Sequence, residues 1–362
     1  MVVGDHTQGL GIVRSAAVVP GSTWMVSDNV ISLARFSKHL AGYTRLGHGT
    51  LRRLHEPRAA DELLEALLAI PLDPPSALFG VDEDIVGLIH RRRALLEDRY
   101  VIPDAPLERI SDKYLFNQLV PEPARVETLL LSEIDGLAAD ELRGFVLKGR
   151  RGNAFRSTLG RKAVRVDRLR ATDRRLLARL DPEQVLVQRI VESDRPVVSF
   201  CSFSVEGEAA GVFQYEKLRQ HPDRFGTGTY LRSVRVEAVE PLAGSILRTL
   251  GYTGISEIEF VYDAEHGRYR AIEMNPRTWK SVHFASRCGE NLVARHLSFA
   301  STGSAGGAGS YERGRYWVDL ATDLPQLVRE RRLERYARPL VECTWERSDP
   351  WPAVALWTLF PA

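Results

Sequence analysis

Lysine is scarce in this sequence. Of the 49 basic residues in 362 positions, only six are lysine: Lys38, Lys113, Lys148, Lys162, Lys217 and Lys280. A lysine retained where arginine carries the generic surface charge is a candidate for a compact point charge. Cysteine is scarcer still. Cys201, Cys288 and Cys343 stand apart, in no CxxC or Cys/His pairing. That argues against a disulfide scaffold and against structural zinc, and fits a reducing cytoplasm. Charge of one sign is missing too. Lys+Arg 49 against Asp+Glu 47 gives +2, so there is no broad basic footprint for nucleic acid and no acidic tail. No stretch reaches the ~18 uninterrupted apolar residues of a membrane helix. The first residues lack the charged and then apolar segments of a signal peptide. The expectation is a cytoplasmic protein with no nucleic-acid or membrane partner.

What is present is an ordinary globular mixture, 44% hydrophobic and 27% charged. At ~100–200 residues per domain the chain is long enough for two or three domains. Residues 1–105 read as a small α/β unit. Gly4, Gly9 and Gly11 follow a short apolar start but do not match G-x-G-x-x-G, leaving a tight strand-to-helix turn or a ligand at that helix N-terminus. ADELLEALLAI is an amphipathic helix, and SALFGVDED a buried strand. Residues 106–190 open a helix at Ser111-Asp112, good N-cap chemistry. FVLKGRRGNAF follows, a strand running into a basic, glycine-containing loop, and then the β-branched strand QVLVQRIV. Residues 191–300 are strand-rich. Residues 301–362 begin with STGSAGGAGS, a linker by composition, and continue with one charged helix over about 323–336.

The most informative stretch is EIEFVYDAEHGRYRAIEMNPR. Two antiparallel strands around a turn near Ala264–Gly267 would set Glu259 beside Glu273, with Asn275 on the same face. Ile258, Phe260, Ile272 and Met274 between them form an apolar face. Two carboxylates and an amide oxygen are hard ligands that suit Mg²⁺ and poorly suit zinc. Glu257 shares their face and reads as a solvated residue. Lys148 ends a strand before Gly149, Gly152 and Asn153, a loop whose backbone N–H groups can meet phosphate oxygens although it is not a Walker A sequence. Lys113 opposes the dipole of its own helix, which makes sense beside an anion. Glu192 and Asp194 follow a strand and suit ribose hydroxyls. Lys217 and Arg219, before Gly226 and Gly228, suit an acidic group. Cys201 and Cys288 read as core residues, and Trp279 as packing or as a pocket wall.

In this order the pieces resemble the ATP-grasp superfamily: a D-K helix start, a strand–Lys–Gly loop, a V-x-Q-x-I-like hinge, then E-x-F…I-E-x-N-P-R. The resemblance spans about residues 1–300 and is nearest to the carboxylate–amine ligase branch, including D-aspartate ligases and peptide ligases. The GLGIVRS opening, the K-L-R-Q-x-P-x-x-F-G-T-G loop and N-P-R-x-W-x-S carry that likeness. It implies an α/β fold of α+β ATP-grasp type: a Rossmann-like N-terminal domain (1–105), a lid subdomain (106–190) and a larger antiparallel-sheet domain (191–300), with 301–362 as linker and extension. It also implies ATP with two Mg²⁺ held by Glu259, Glu273 and Asn275, Mn²⁺ being the natural substitute. Lys113, Lys148, Gly149 and Gly152 would hold the phosphates. Gln188, Arg189, Ile190 and Val191 would line the adenine, and Glu192 or Asp194 would hold the ribose. Arg277 would steady the transferring phosphoryl or acyl phosphate, and the substrate carboxylate would approach between Arg277, the Lys217–Arg219 loop and the C-terminal edge of the first domain. Gln188-Arg189 replaces a common Gln-Glu, and Glu192-Ser193-Asp194 a Pro-Gly-x-Asp turn, so the choice between the two acids stays open. The activity implied is amide or peptide-bond formation through an acyl phosphate, on amino-acid or peptide-like carboxylate and amine substrates, by a protein that is often a homodimer. The competing readings are an ATP-grasp kinase, a carboxylase, and a nucleotide-binding module without turnover.

Overall fold

The computed structural model describes residues 1–359 apart from Ile31, 135–141, Gly152, Asn153, Arg224, Ala308 and Leu333. The N-terminal sheet is parallel, in the order Gly42–Arg45, Trp24–Ser27, Val2–Val3, Phe79–Gly80. A parallel sheet covered on both faces needs short, continuous apolar strands, and Val2, Val3, Met25 and Val26 are all buried. The helix His6–Ala16 leaves the end of the first strand through Gly4. Gly4 has φ +94°, and a Cβ there would stand 2.2 Å from Val81 Cγ2. A Cβ on Gly11 would press on Val282 and His283. These glycines serve a tight turn and close packing between units.

The stretch read as one strand over 76–84 is divided. Ser76–Ala77 pairs with Tyr100–Val101, Phe79–Gly80 joins the parallel sheet, and Asp82 caps a helix over Glu83–Arg91 through the Asp84 and Ile85 N–H groups. The capping aspartate takes the chain out of extended conformation earlier than the apolar pattern indicates.

A second sheet, antiparallel, runs Thr128–Leu130, Val185–Arg189, Phe145–Gly149, Ala163–Arg165. It closes around a core of its own that includes Leu142, Phe145, Leu147, Phe155 and Val187.

The third sheet has seven strands: Arg268–Asn275, Gly254–Asp263, Val197–Val205, Glu208–His221, Thr227–Ser233, Tyr316–Val318 and Leu340–Glu342. All pairs are antiparallel except the last. Ile258, Phe260, Ala271 and Met274 pack on one face with the helix Glu240–Leu250. Cys201, Phe203, Phe213 and Tyr215 pack on the other against the N-terminal unit. The tail is more than an extension, because two of its segments are strands of this sheet and Trp317 is fully buried. Its charged helix runs Leu320–Arg329 and stops before Arg331, which takes φ +54°. Among the described residues no helix is long and apolar enough to cross a membrane.

Candidate active site

The two acid-bearing strands pair as their alternation predicts. Glu259 stands opposite Glu273, and Glu257 opposite Asn275. A bulge beside Glu259 corrects one detail. Phe260 pairs with Ala271, so Ile272 is the extra residue and is only half-buried instead of belonging to the apolar face. Such an insertion re-aims neighbouring side chains and is common beside active sites.

Glu257 is a second correction. It is 4% exposed, not solvated. It accepts a short hydrogen bond from the Tyr215 hydroxyl and another from Asn275 Nδ2 at 3.0 Å. Asn275 Oδ1 in turn accepts from Arg277 Nη2 at 3.2 Å. This chain of bonds orients the amide, and the second lone pair of Oδ1 remains for another partner.

Four of the six lysines converge on these acids. Lys113 Nζ lies 3.5 Å from Glu273 Oε1, and Lys217 Nζ donates to Glu259 Oε1 at 2.6 Å. Lys148 and Lys162 arrive from the second sheet, where Lys148 pairs with Ala163, the residue after Lys162. Burial opposes the charge on Glu273, but Lys113, Lys148, Lys162 and Lys217 together hold its carboxyl down to about 2. Glu259 goes the other way. Burial, with Glu257 and Glu273 nearby, raises it despite Lys217. Burial pulls Lys148 down to about 8 against the attraction of Glu273. Lys162 is lowered by burial, while Lys113 is raised because Glu273 and Glu83 outweigh its burial.

Asp112 holds the lysine-bearing elements together. It is fully buried and caps the helix Lys113–Leu119 through the Tyr114 and Leu115 N–H groups. Its carboxylate also accepts from Arg150 Nε at 2.9 Å and Arg151 Nε at 2.9 Å, and Lys113 N–H donates to Arg150 O. The start of one lysine's helix is thereby tied to the loop after the other lysine's strand. Burial alone would raise Asp112; the arginines and the Leu115 N–H lower it.

Sequence reasoning missed Glu83, Glu257 and Lys162. Glu83 lies at a helix N-terminus facing Lys113, Glu273 and Arg277, and its burial outweighs the cations and raises it. Lysine scarcity was the signal that could have found Lys162. The cluster as a whole sets Lys113, Lys148, Lys162, Lys217 and Arg277 against Glu83, Glu257, Glu259 and Glu273. A lone divalent cation would be opposed by the lysines, and a lone polyanion by the carboxylates. A polyphosphate carrying a hard cation satisfies both. Glu259, Glu273 and Asn275 have the oxygen donors for that cation, although Glu257, Glu259 and Glu273 do not bring their oxygens within the 4.8 Å that one trio, Asp263, Glu265 and His266, reaches at the hairpin turn. In that trio Asp263 is already bonded to Arg270 and His266.

The remaining expected residues divide. Gly149 lies against Phe155, 2.9 Å from a notional Cβ to the Phe155 Cβ, and Gly152 lies outside the described residues. Gln188 is buried and donates to Thr128 Oγ1 at 2.9 Å. Arg189, Ile190, Val191 and Glu192 border a cavity of about 910 Å³ that Asp263, Ala264, Glu265, His266 and Arg268 also line. Arg189 is itself paired with Glu127 at 2.6 Å. Asp194 does not border this cavity, and neither do Lys113, Lys148, Glu259 or Glu273. Lys217 belongs to the site, but its partner is Glu259. Arg219 is engaged elsewhere: Asp323 accepts from its Nε and Nη2 and Glu334 from its Nη1, both acids belonging to the tail. Trp279, Cys201 and Cys288 are core residues.

Residues 228–303 match the family described as carbamoyl-phosphate synthase L chain, ATP binding domain. No curated protein gives a significant match. Among solved structures, N5-carboxyaminoimidazole synthetase from Staphylococcus aureus is similar at TM-score 0.64 and 14% identity, over 91% of this chain and 84% of that one. The L-amino acid ligase from Bacillus licheniformis is similar at TM-score 0.60 and 14% identity, over 83% and 73%. The biotin carboxylase domain of 2-oxoglutarate carboxylase from Hydrogenobacter thermophilus, solved with MgADP and bicarbonate, is similar at TM-score 0.62 and 15% identity, over 87% and 72%. The three sheets and the matched segment agree with these structures, and the chain has the ATP-grasp fold.

Proposed function

We propose that the chain is an ATP-dependent carboxylate–amine ligase acting on an amino acid or peptide-like substrate. The observation that carries this reading is the convergence of four lysines on Glu273, beside Glu259, Asn275 and Arg277. ATP is the nucleotide, and Glu259, Glu273 and Asn275 are the residues to hold two Mg²⁺. When bound, magnesium supplies charge neutralisation on the β- and γ-phosphate oxygens. Lys113 and Lys148 hold phosphate oxygens, and Lys162 adds a third cation from the same sheet as Lys148. Ile190 and Val191 line the base, and Glu192, which borders the same cavity, takes the ribose in this reading, ahead of Asp194.

A carboxylate acylates poorly because oxide is a poor leaving group. Its oxygen attacks the γ-phosphorus, the β–γ bridging P–O bond breaks, and ADP leaves. Arg277 steadies the acyl phosphate. The amine nitrogen then attacks the acyl carbon, the C–O bond to phosphate breaks, and the nitrogen loses a proton. No nucleophilic side chain is needed, which agrees with buried cysteines whose thiols are pushed up in pKa. Positioned charge performs the catalysis.

A carboxylase using carboxyphosphate is the second reading, favoured by the likeness to the Staphylococcus aureus synthetase and the biotin carboxylase domain. The test is phosphate release from ATP with paired amino acids, with mass spectrometry of the product. The ligase reading expects phosphate only when acid and amine are both present. Bicarbonate dependence would support the carboxylase, a phosphorylated product a kinase, and no ATP use over a broad panel a module without turnover. By the same resemblance the assembly is a homodimer in the cytoplasm, and light scattering at working concentration tests the former.

A further inference from the structure

A cavity of about 60 Å³ lies between the N-terminal unit and the large sheet, beside the charged cluster. Its walls are mostly apolar, with Val86, Ile89, Ile102 and Ile255 among them, and its polar residues include Arg277 and His296. A single water needs ~10–15 Å³ on this measure, so the space suits a group of a few heavy atoms.

His296 is 5% exposed. Its ring lies between Phe79, at 4.7 Å between centroids, and Phe203, at 5.4 Å. Neither ring nitrogen has a hydrogen-bond partner among the described residues, and neither has Arg277 Nε. Unpartnered buried nitrogens are costly and call for a partner. Burial pulls the imidazole down to about 4, so near neutrality it is uncharged and offers one donor and one acceptor. Arg277 joins the two regions: it borders this cavity, and it acts electrostatically on Glu83 and Lys113.

Resting on the ligase reading, we infer that this cavity is a specificity pocket for the carboxylate substrate. It takes a short, uncharged side chain ending in a hydroxyl or carboxamide that hydrogen-bonds His296, while the carboxyl group stands at Arg277. Apolar walls and a neutral imidazole disfavour a charged side chain there. A site that spends buried polar groups on a substrate hydroxyl rejects the isostere lacking it.

The experiment compares isosteric acids, threonine against valine and asparagine against leucine, in ATP-dependent phosphate release with a fixed panel of amines. The same pairs are titrated calorimetrically into the full chain holding ADP and MgCl₂. Wild type should favour the hydrogen-bonding member at least ~10-fold. His296→Phe should erase that preference with KM for ATP changed less than ~2-fold, and His296→Gln should keep it. Equal use or equal binding of the isosteres by wild type, or a preference surviving His296→Phe, overturns the pocket and leaves it a water site. Should no acid support turnover, the ligase reading fails by itself. The wild-type titrations then decide: tighter binding of threonine than valine upholds the pocket, and equal or no binding overturns it.

Discussion

Arg219 separates a structural role from a catalytic one. Its Nε donates to both Asp323 oxygens at 3.1 Å, Nη2 to Asp323 Oδ2 at 2.7 Å and Nη1 to Glu334 at 2.5 Å. The guanidinium also lies over the Tyr230 ring at 4.3 Å and the Tyr336 ring at 5.3 Å. Its side chain is 10% exposed and that of Asp323 only 1%. At ~3 Å and an effective dielectric of about 20 the attraction is about 5 kcal/mol, much of it offset by desolvation. Removing one partner of such a pair leaves the other buried and uncompensated, at about 3–5 kcal/mol. Thr229 and Tyr336 still donate to Asp323, which favours the low end.

Arg219→Met should therefore lower the local opening free energy of the segment 316–342 by about 3 kcal/mol, read by native-state hydrogen exchange. Exchange is the right assay because a chain of several sheets need not unfold in one step. Asp323→Leu alone should cost a similar amount. The double variant should recover most of it, since an apolar pair of similar volume replaces a buried ion pair at little net cost. The kcat of folded protein should change less than about twofold. Acid should act similarly. Burial opposes the Asp323 charge, but Arg219, Thr229 and Tyr336 hold its carboxyl below the ordinary 3.8. The contribution is complete above that value and is lost as pH falls through the lower, folded-state value. A large loss of kcat with unchanged exchange in 316–342 would refute this account and return Arg219 to the substrate.

Three further outcomes test the charged cluster. Glu273→Gln should reduce turnover about 10–100-fold by loosening the metal and should raise the Mg²⁺ concentration for half-maximal rate; near-wild-type rates at low Mg²⁺ would remove Glu273 from the metal site. Lys148, pulled down to about 8, carries its charge below that pH and loses it above, so kcat/KM for ATP should fall about tenfold per unit beyond pH 8, with the limb absent in Lys148→Arg. A flat profile to pH 10 would contradict this. Lys162→Met should weaken ATP about 3–10-fold, a partly solvated charge–phosphate contact; unchanged nucleotide affinity by calorimetry would place Lys162 outside the phosphate site.

How much was legible in the sequence follows from the range of each interaction. Glu259 and Glu273 were legible because they sit on two strands joined by one short turn, where period-2 alternation decides the face. The Asp112 cap was legible because a cap is local. Glu257 was not: alternation put it on the right face, but only the Tyr215 hydroxyl, from a strand two places across the sheet, shows that the face is covered. Lys162 depends on the register Lys148–Ala163, which no local pattern specifies. The Arg219–Asp323 pair joins residues more than a hundred positions apart, and Lys-Leu-Arg reads the same whether its arginine meets a substrate or the tail. Tyr316–Val318 and Leu340–Glu342, at three residues each, are too short to show a period. Ile272 was misplaced because a bulge is an exception to the rule used to place it.

The scarcity of lysine and the mixed charge of the site have one physical explanation. Glu257, Glu259 and Glu273 stand on the large sheet and Glu83 on a helix of the N-terminal unit, while Lys148 and Lys162 come from the second sheet and Lys113 from the helix tied to it through Asp112. In this structure the elements satisfy one another, as Lys217 does with Glu259 and Lys113 with Glu273. On the proposed reading, a ligand carrying both signs would exchange partners: lysines would turn to phosphate oxygens and carboxylates to the cation, so no charge would be left buried alone. Either half arriving by itself must break an ion pair without replacing it. On that reading cation and nucleotide would be coupled in binding, reciprocally and by the same free energy. An arginine would serve this exchange poorly, because its planar fork holds a carboxylate in two bonds at once, as Arg219 holds Asp323, whereas a lysine's single ammonium group can leave one oxygen for another.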